Sequence, residues 1–117
     1  AVCTATAHAF SDCAMKITGA ARYLSAVQTC EDVDGRPKSD PTLFLHTAAQ
    51  CGAEPDEVWV FEDALHCILA AKRAGFSVCA VADPASAFQR AEILKLADCF
   101  LNSFDEWPSV LPFSAAL

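Results

Sequence analysis

The chain has 117 residues, 54% of them hydrophobic and 20% charged, with a net charge of −7 at pH 7. That is the size of one domain with enough apolar surface for a core, and the acidic balance, without a basic run or basic amphipathic helix, argues against nucleic acid or anionic membrane as a partner. Apolar stretches last only a handful of residues, far short of the roughly 18 or more that suggest a membrane span, and no basic-then-apolar leader opens the chain, so a cytoplasmic location is the expectation.

In chain order, strand-like and helix-like patterns alternate. Ala1 to Ala5 is a short apolar run. From Ala7 to Ile17, Phe10, Cys13, Ala14 and Ile17 share one helical face, and Gly19 is placed to end the helix. Tyr23 to Thr29 alternates weakly, as a short strand would, and the polar loop EDVDGRPKS follows. Asp40 and Pro41 then form an N-cap and first-turn proline. Behind them Phe44, Leu45, Ala48 and Ala49 make the buried stripe, closed by Gly52.

Glu57 to Phe61 is apolar on both faces, as a central parallel strand is. A helix from Ala64 to Ala74 follows, with Ala64, Cys67, Ile68 and Ala71 on one face, Lys72 and Arg73 in its last turn and Gly75 beyond it. FSVCAVA, Phe76 to Ala82, is a second buried strand; a helix near Ala85 to Leu96, a strand near Cys99 to Leu101 and a turn around Phe104 to Val110 complete the pattern. This alternation indicates a parallel sheet with helices on both faces. The seven cysteines are odd in number, widely spaced and free of any C-x-x-C pair. Reduced thiols serving as small core residues are expected rather than disulfides or a zinc site.

The stretch VWVFEDALH runs four large apolar residues into the adjacent carboxylates of Glu62 and Asp63. Two ionised carboxylates beside an apolar core repel each other and lose hydration, so a cation or donors must answer them. In parallel α/β sheets, ligands bind beyond the carboxyl ends of the strands. There the order of elements places Thr4 and Thr6, the loop bases Arg36 and Lys38, Glu62 with Asp63, and Asp83. Hydroxyl, base and paired carboxylates suit a phosphoryl group with Mg²⁺, a hard ion held by oxygen.

Each group also has an ordinary reading. Asp63 can N-cap the next helix, Glu62 can be a solvated strand end, and Thr4 and Thr6 are normal strand residues. Arg36 and Lys38 can be loop charges, and Asp83-Pro84 marks a turn. Trp59 and Phe61 read as core. His46 and His66 fall on polar helical faces, whereas His8 follows the Thr4–Thr6 strand end.

Three motifs, in this order, resemble the haloacid dehalogenase (HAD) superfamily of phosphohydrolases, and within it the beta-phosphoglucomutase-like and phosphoglycolate-phosphatase-like branch. VCTAT resembles its apolar strand ending in a phosphate-binding Ser or Thr, here Thr4. GRPKSDPTLFLHTAAQCG resembles its G-K-P-x-P-D-x-F segment, with Arg36 at the position of the phosphate-neutralising lysine and Lys38 two residues on as a substitute. VFEDALHCILAAKRAGF resembles its strand, acidic pair and helix ending A-A-x-x-A-G, and is the most specific of the three.

The resemblance implies a three-layer α/β/α Rossmann-like parallel sheet. It also implies part of a Mg²⁺-dependent phosphatase or phosphomutase acting on a small phosphorylated metabolite through an aspartyl-phosphate. Thr4 would orient the phosphate, Arg36 or Lys38 would offset its charge, and Glu62 and Asp63 would hold Mg²⁺. The family's nucleophile lies in a D-x-D motif after an N-terminal strand, and a substrate-selecting cap usually follows it. Here the lone D-x-D, Asp32-Val33-Asp34, lies in a polar loop. The chain is therefore expected to be the C-terminal portion of the core, without nucleophile strand or cap, inactive alone and partnered by the missing N-terminal part of its own protein. That missing strand belongs between the Thr4 strand and the Glu62-Asp63 strand, so an unpaired seam is expected there. A non-catalytic α/β module for binding or assembly is the alternative.

Overall fold

The computed structural model describes residues 1–106. Five strands and four α-helices occur among them: β1 (Val2–Thr4), α1 (His8–Thr18), β2 (Val27–Thr29), α2 (Thr42–Gln50), β3 (Trp59–Glu62), α3 (Leu65–Arg73), β4 (Ser77–Val81), α4 (Arg90–Leu96) and β5 (Cys99–Leu101). Every strand pairing is parallel, and each successive strand is reached through a helical crossover, as the alternating pattern requires.

The core lies under α2, α3 and α4 on one face of β3–β4–β5. Ala70 and Ala71 of α3 are fully buried, and their small side chains let the helix approach Val78 and Ala80 of β4, which are also fully buried. Ile68 fills the same layer, and the Phe44 and Phe76 rings meet at 6.2 Å between centroids with a 55° tilt. Lys72 and Arg73 stabilise the carboxyl end of α3 through its dipole. Lys72 also reaches Asp98 at 2.7 Å, and Asp98 in turn accepts the Val78 N–H at 2.7 Å, fastening α3 to the start of β4. Gly75 ends the helix at φ +90°, where a side chain would be strained.

The described strands form two sheets, β1–β2 and β3–β4–β5. β1 pairs with β2 in the register Val2↔Val27 to Thr4↔Thr29; β3 pairs with β4 from Trp59↔Ser77 to Glu62↔Ala80. Between β1 and β3 lies a groove of about 370 Å³, lined by Val2 and Cys3 on one side, Trp59 to Glu62 on the other, and Phe44 and Thr47 at its floor. The expected seam is therefore visible as a division of the sheet among the described residues.

Several local expectations change. On α1 the residues turned outward are Phe10, 73% exposed, and Ile17, 80% exposed, with Cys13 also exposed; Ser11 is the buried one. The inward position tolerates Ser11 because its hydroxyl donates to the His8 carbonyl at 3.3 Å. On α2 the buried stripe is Leu43, Phe44, Thr47 and Ala48, shifted from the expected Leu45 and Ala49. Thr47 can face inward because it donates to the Leu43 carbonyl at 2.7 Å. All seven cysteines are free, as expected, but only Cys67 and Cys79 are buried.

Of the strand expected over Tyr23 to Thr29, Val27–Thr29 forms β2, whereas Tyr23 ends a 3-10 turn, Ala20–Tyr23. The helix expected from Ala85 to Leu96 begins as a 3-10 turn, Pro84–Gln89, before α4. Of the terminal turn, Phe104–Glu106 is a 3-10 turn, and the stretch to Val110 lies outside the described residues. No described helix is long and apolar enough to cross a membrane.

Candidate functional site

β3 delivers Glu62 into the interior, 8% exposed, at the carboxyl end of the sheet. Its two carboxylate oxygens are separately engaged. Oε1 accepts the N–H groups of Asp63 at 3.0 Å and Ala64 at 3.2 Å, and Oε2 lies 2.6 Å from Lys38 Nζ. Burial pushes the Glu62 carboxyl up, but Lys38 and these N–H donors outweigh burial and hold it below the usual range. For Lys38 likewise, burial pulls down and the contact with Glu62 more than compensates, so its ammonium is kept above its ordinary value. Lys38 Nζ also lies 5.4 Å from the centroid of the Phe44 ring.

Lys38 arrives there because the loop before α2 is tightly folded. Asp34 and Gly35 take left-handed conformations at φ 56° and 72°, and the Gly35 N–H donates to the Cys30 carbonyl at 2.8 Å. Asp40 then accepts both the Thr42 N–H, at 2.8 Å, and the Thr42 hydroxyl, fixing the entry to α2. Arg36, in the same loop, is exposed and lies 3.7 Å from Asp40. The structure thus brings Lys38 to the acidic pair and leaves Arg36 outside it.

Asp63 does not cap α3: Ala64 is the N-cap residue, without a side-chain cap bond. The Asp63 carboxyl is pushed up by burial and then by the neighbouring Glu62 carboxylate. Its Oδ2 receives the Ser86 hydroxyl at 3.4 Å. Asp63 lines an open cleft of about 210 Å³ with Phe61, Glu62, Val81, Ala82, Asp83 and Phe104.

Thr4 ends β1, and its hydroxyl oxygen accepts the Thr6 N–H at 3.1 Å. Cys3, one residue earlier, lines the groove with Lys38 and Glu62. His8 links α1 to the turn after β2: its Nε2 lies 2.8 Å from Asp32 Oδ2, and its backbone N–H donates to Glu31 Oε2 at 2.8 Å. Asp32 also accepts the Thr29 N–H at 2.7 Å in a capping box. The D-x-D loop is therefore engaged in local structure. His46 meets Gln28 at 2.9 Å.

Among the described residues no group of three or more His, Cys, Asp or Glu could hold a metal ion. Mg²⁺ needs less from a protein, because it keeps several waters and binds through one or two carboxylates plus phosphate oxygens. Asp63 fits that partial role, being a hard donor facing an open cleft. Glu62 faces Lys38 in this arrangement, so its fit is closer to a group that positions the base. The nearby Cys67 thiol, pushed up to about 11 chiefly by burial, is no ligand for a hard cation.

Cys3, Cys67 and Ser86 also lie beside the site, and residue type and spacing alone do not predict it. The thiols carry no sequence signal for proximity to Lys38, since three separate elements bring them together. For Ser86 the signal is the D-P-x-S run that follows β4.

Comparison with known proteins places these residues in context. The sequence pattern of the haloacid dehalogenase-like hydrolases matches residues 1–75, a span that includes Thr4, Lys38, Glu62 and Asp63. A validoxylamine A 7'-phosphate phosphatase from Streptomyces hygroscopicus subsp. limoneus is 34% identical over 105 residues. The match covers 88% of this chain and 47% of that protein, so the chain spans about half the relative's length.

Proposed function

The chain belongs to the haloacid dehalogenase-like hydrolases, and from that premise we propose that it forms the phosphate- and cation-facing half of a Mg²⁺-dependent phosphohydrolase for a small phosphorylated metabolite. The observation that carries this reading is the Lys38–Glu62–Asp63 constellation at the carboxyl end of β3, beside the groove toward β1. The similarity to a phosphatase whose named substrate is a phosphate ester favours hydrolysis over phosphoryl transfer between sugar hydroxyls.

In this reading Lys38 meets the phosphate oxygens as a compact positive charge, and Glu62 holds its ammonium in place and protonated. Thr4 donates its hydroxyl to the phosphate from the end of β1. Asp63 would be the residue to hold Mg²⁺, and the ion would supply charge neutralisation at the phosphate. Arg36, on the exposed loop, is left to the approach of the substrate.

The nucleophilic Asp enters on an extended strand that occupies the groove between β1 and β3. Parallel pairing on both sides would satisfy the facing edges of those strands. The attacking carboxylate would take the phosphoryl group as the ester's P–O bond breaks, the departing oxygen leaving as the alcohol with a proton from solvent, and water would then hydrolyse the aspartyl-phosphate to carboxylate and inorganic phosphate.

The test is hydrolysis of p-nitrophenyl phosphate by the whole protein that contains this chain and its strand-bearing segment. Turnover should require Mg²⁺ and vanish in Asp63→Asn. Turnover unchanged by Asp63→Asn removes Asp63 from the site; turnover by residues 1–117 alone places the nucleophile within them; silence of both proteins favours a binding module that keeps this fold.

A further inference from the structure

Asp63 and Glu62 are adjacent carboxylates in opposite circumstances. Glu62 has an ammonium and two backbone N–H donors. Among the described residues no basic side chain lies within ion-pair distance of Asp63, and its neighbour in the chain is the like-charged Glu62. The donor from outside its own strand end is the hydroxyl of Ser86, 23 residues further along the chain.

Ser86 is only 8% exposed, an unusual place for a hydroxyl in a surface turn. The turn after β4 is built to put it there. Asp83 Oδ1 accepts the Ala85 N–H at 2.7 Å, Pro84 occupies the first turn position, and the Ser86 N–H donates to the Asp83 carbonyl at 3.1 Å. These bonds fix the backbone of Ser86 independently of Asp63.

Resting on the reading of Asp63 as a cation ligand, we propose that Ser86 is a positioning residue: its buried hydroxyl tethers Asp63 Oδ2 and keeps that carboxylate facing the cleft between the ends of β3 and β4. At 3.4 Å the contact is long for an O–H···O bond, so it orients the carboxylate while leaving it free to move onto a cation. Outer partners of this kind set the orientation of the groups that touch a metal, and their removal typically weakens metal affinity by about 10- to 100-fold.

The experiment uses the whole protein with its strand-bearing segment and Mn²⁺ as a paramagnetic probe, with free Mn²⁺ read by electron paramagnetic resonance. Ser86→Ala should weaken Mn²⁺ binding about 10-fold, the lower end of the outer-partner range, while the melting temperature of the cation-free protein stays within a few degrees of wild type. Ser86→Thr, which restores a hydroxyl, should bind more tightly than Ser86→Ala, and Asp63→Asn should bind more weakly than either.

Wild-type affinity in Ser86→Ala overturns the positioning role and leaves Asp63 as a ligand. Loss of affinity in Ser86→Ala with undiminished affinity in Asp63→Asn also overturns it, because the cation then lies elsewhere. A wild-type protein that binds no Mn²⁺ overturns the cation reading and this inference together.

Discussion

The two sheets share short parallel strands of apolar sequence, yet they are buried very differently. In β3–β4–β5 the central strand contributes Val78, Cys79 and Ala80, all fully buried: Val78 and Ala80 pack with Ile68, Ala70 and Ala71 of α3, and Cys79 packs on the opposite face with Leu101 of β5. β1 has no fully buried residue, and the helix between β1 and β2 turns Phe10 and Ile17 outward. The difference teaches where cohesion and chemistry reside. The three-stranded side holds most of the core, whereas the site opens on the division between the sheets.

Lys38→Ala should show the largest effect, because it breaks the tie between the α2 loop and β3 and leaves Glu62 buried without its cation. Loss of one partner of such a pair costs about 3–5 kcal/mol, readable as a lowered urea midpoint, and turnover of the whole protein should be lost with it. Unchanged stability would mean that Glu62 is answered by something other than Lys38.

Ile68→Ala probes the better-buried side. Truncating a fully buried isoleucine costs about 2–5 kcal/mol through lost burial and the cavity left behind, and it should lower the urea midpoint by a comparable margin. A loss near zero would refute the concentration of stability under β3–β4–β5.

The His8–Asp32 contact tests the looser side. The hydrogen bond to Asp32 raises His8 above its ordinary value of about 6.5; Asp12 lies 3.8 Å from the imidazole, and Glu31, which accepts the His8 backbone N–H, adds further negative charge nearby. A raised folded value means that the stabilisation is fully present below about pH 6.5 and is lost as pH rises through the folded value. The urea midpoint should therefore decline as pH rises above about 6.5, and His8→Gln should flatten that decline.

The smallest effect should come from Phe10→Ser and Ile17→Ser, each within about 0.5 kcal/mol of wild type in residues 1–117 alone. A larger destabilisation would show that the α1 face is covered after all.

Much of this organisation is legible in the residues, and the reasons are local. Gly19, Gly52 and Gly75 mark helix ends because each adopts a left-handed backbone there. The β3–α3 unit is readable because an apolar run, an acidic pair and a helical stripe follow without interruption. The inward faces of α1 and α2 are not readable from hydrophobicity alone: Ser11 and Thr47 satisfy their hydroxyls on nearby backbone carbonyls and so can be buried, displacing apolar residues to the surface.

At the site, Glu62 and Asp63 announce themselves by adjacency, but their division of labour depends on distant chain. Lys38 comes from 24 residues before Glu62 and Ser86 from 23 residues after Asp63. Motif alignment points to Arg36 as the phosphate base. The folded loop instead puts Lys38 on Glu62, and a backbone turn at Asp34 and Gly35 is what decides it.

The most direct measurement is amide hydrogen exchange along β1 and β3, compared between residues 1–117 alone and the same residues joined to the proposed strand-bearing segment. Amides on the facing edges should exchange quickly in the chain alone and become strongly protected when a strand fills the groove. Equal protection in both proteins would contradict a divided sheet completed by a further strand.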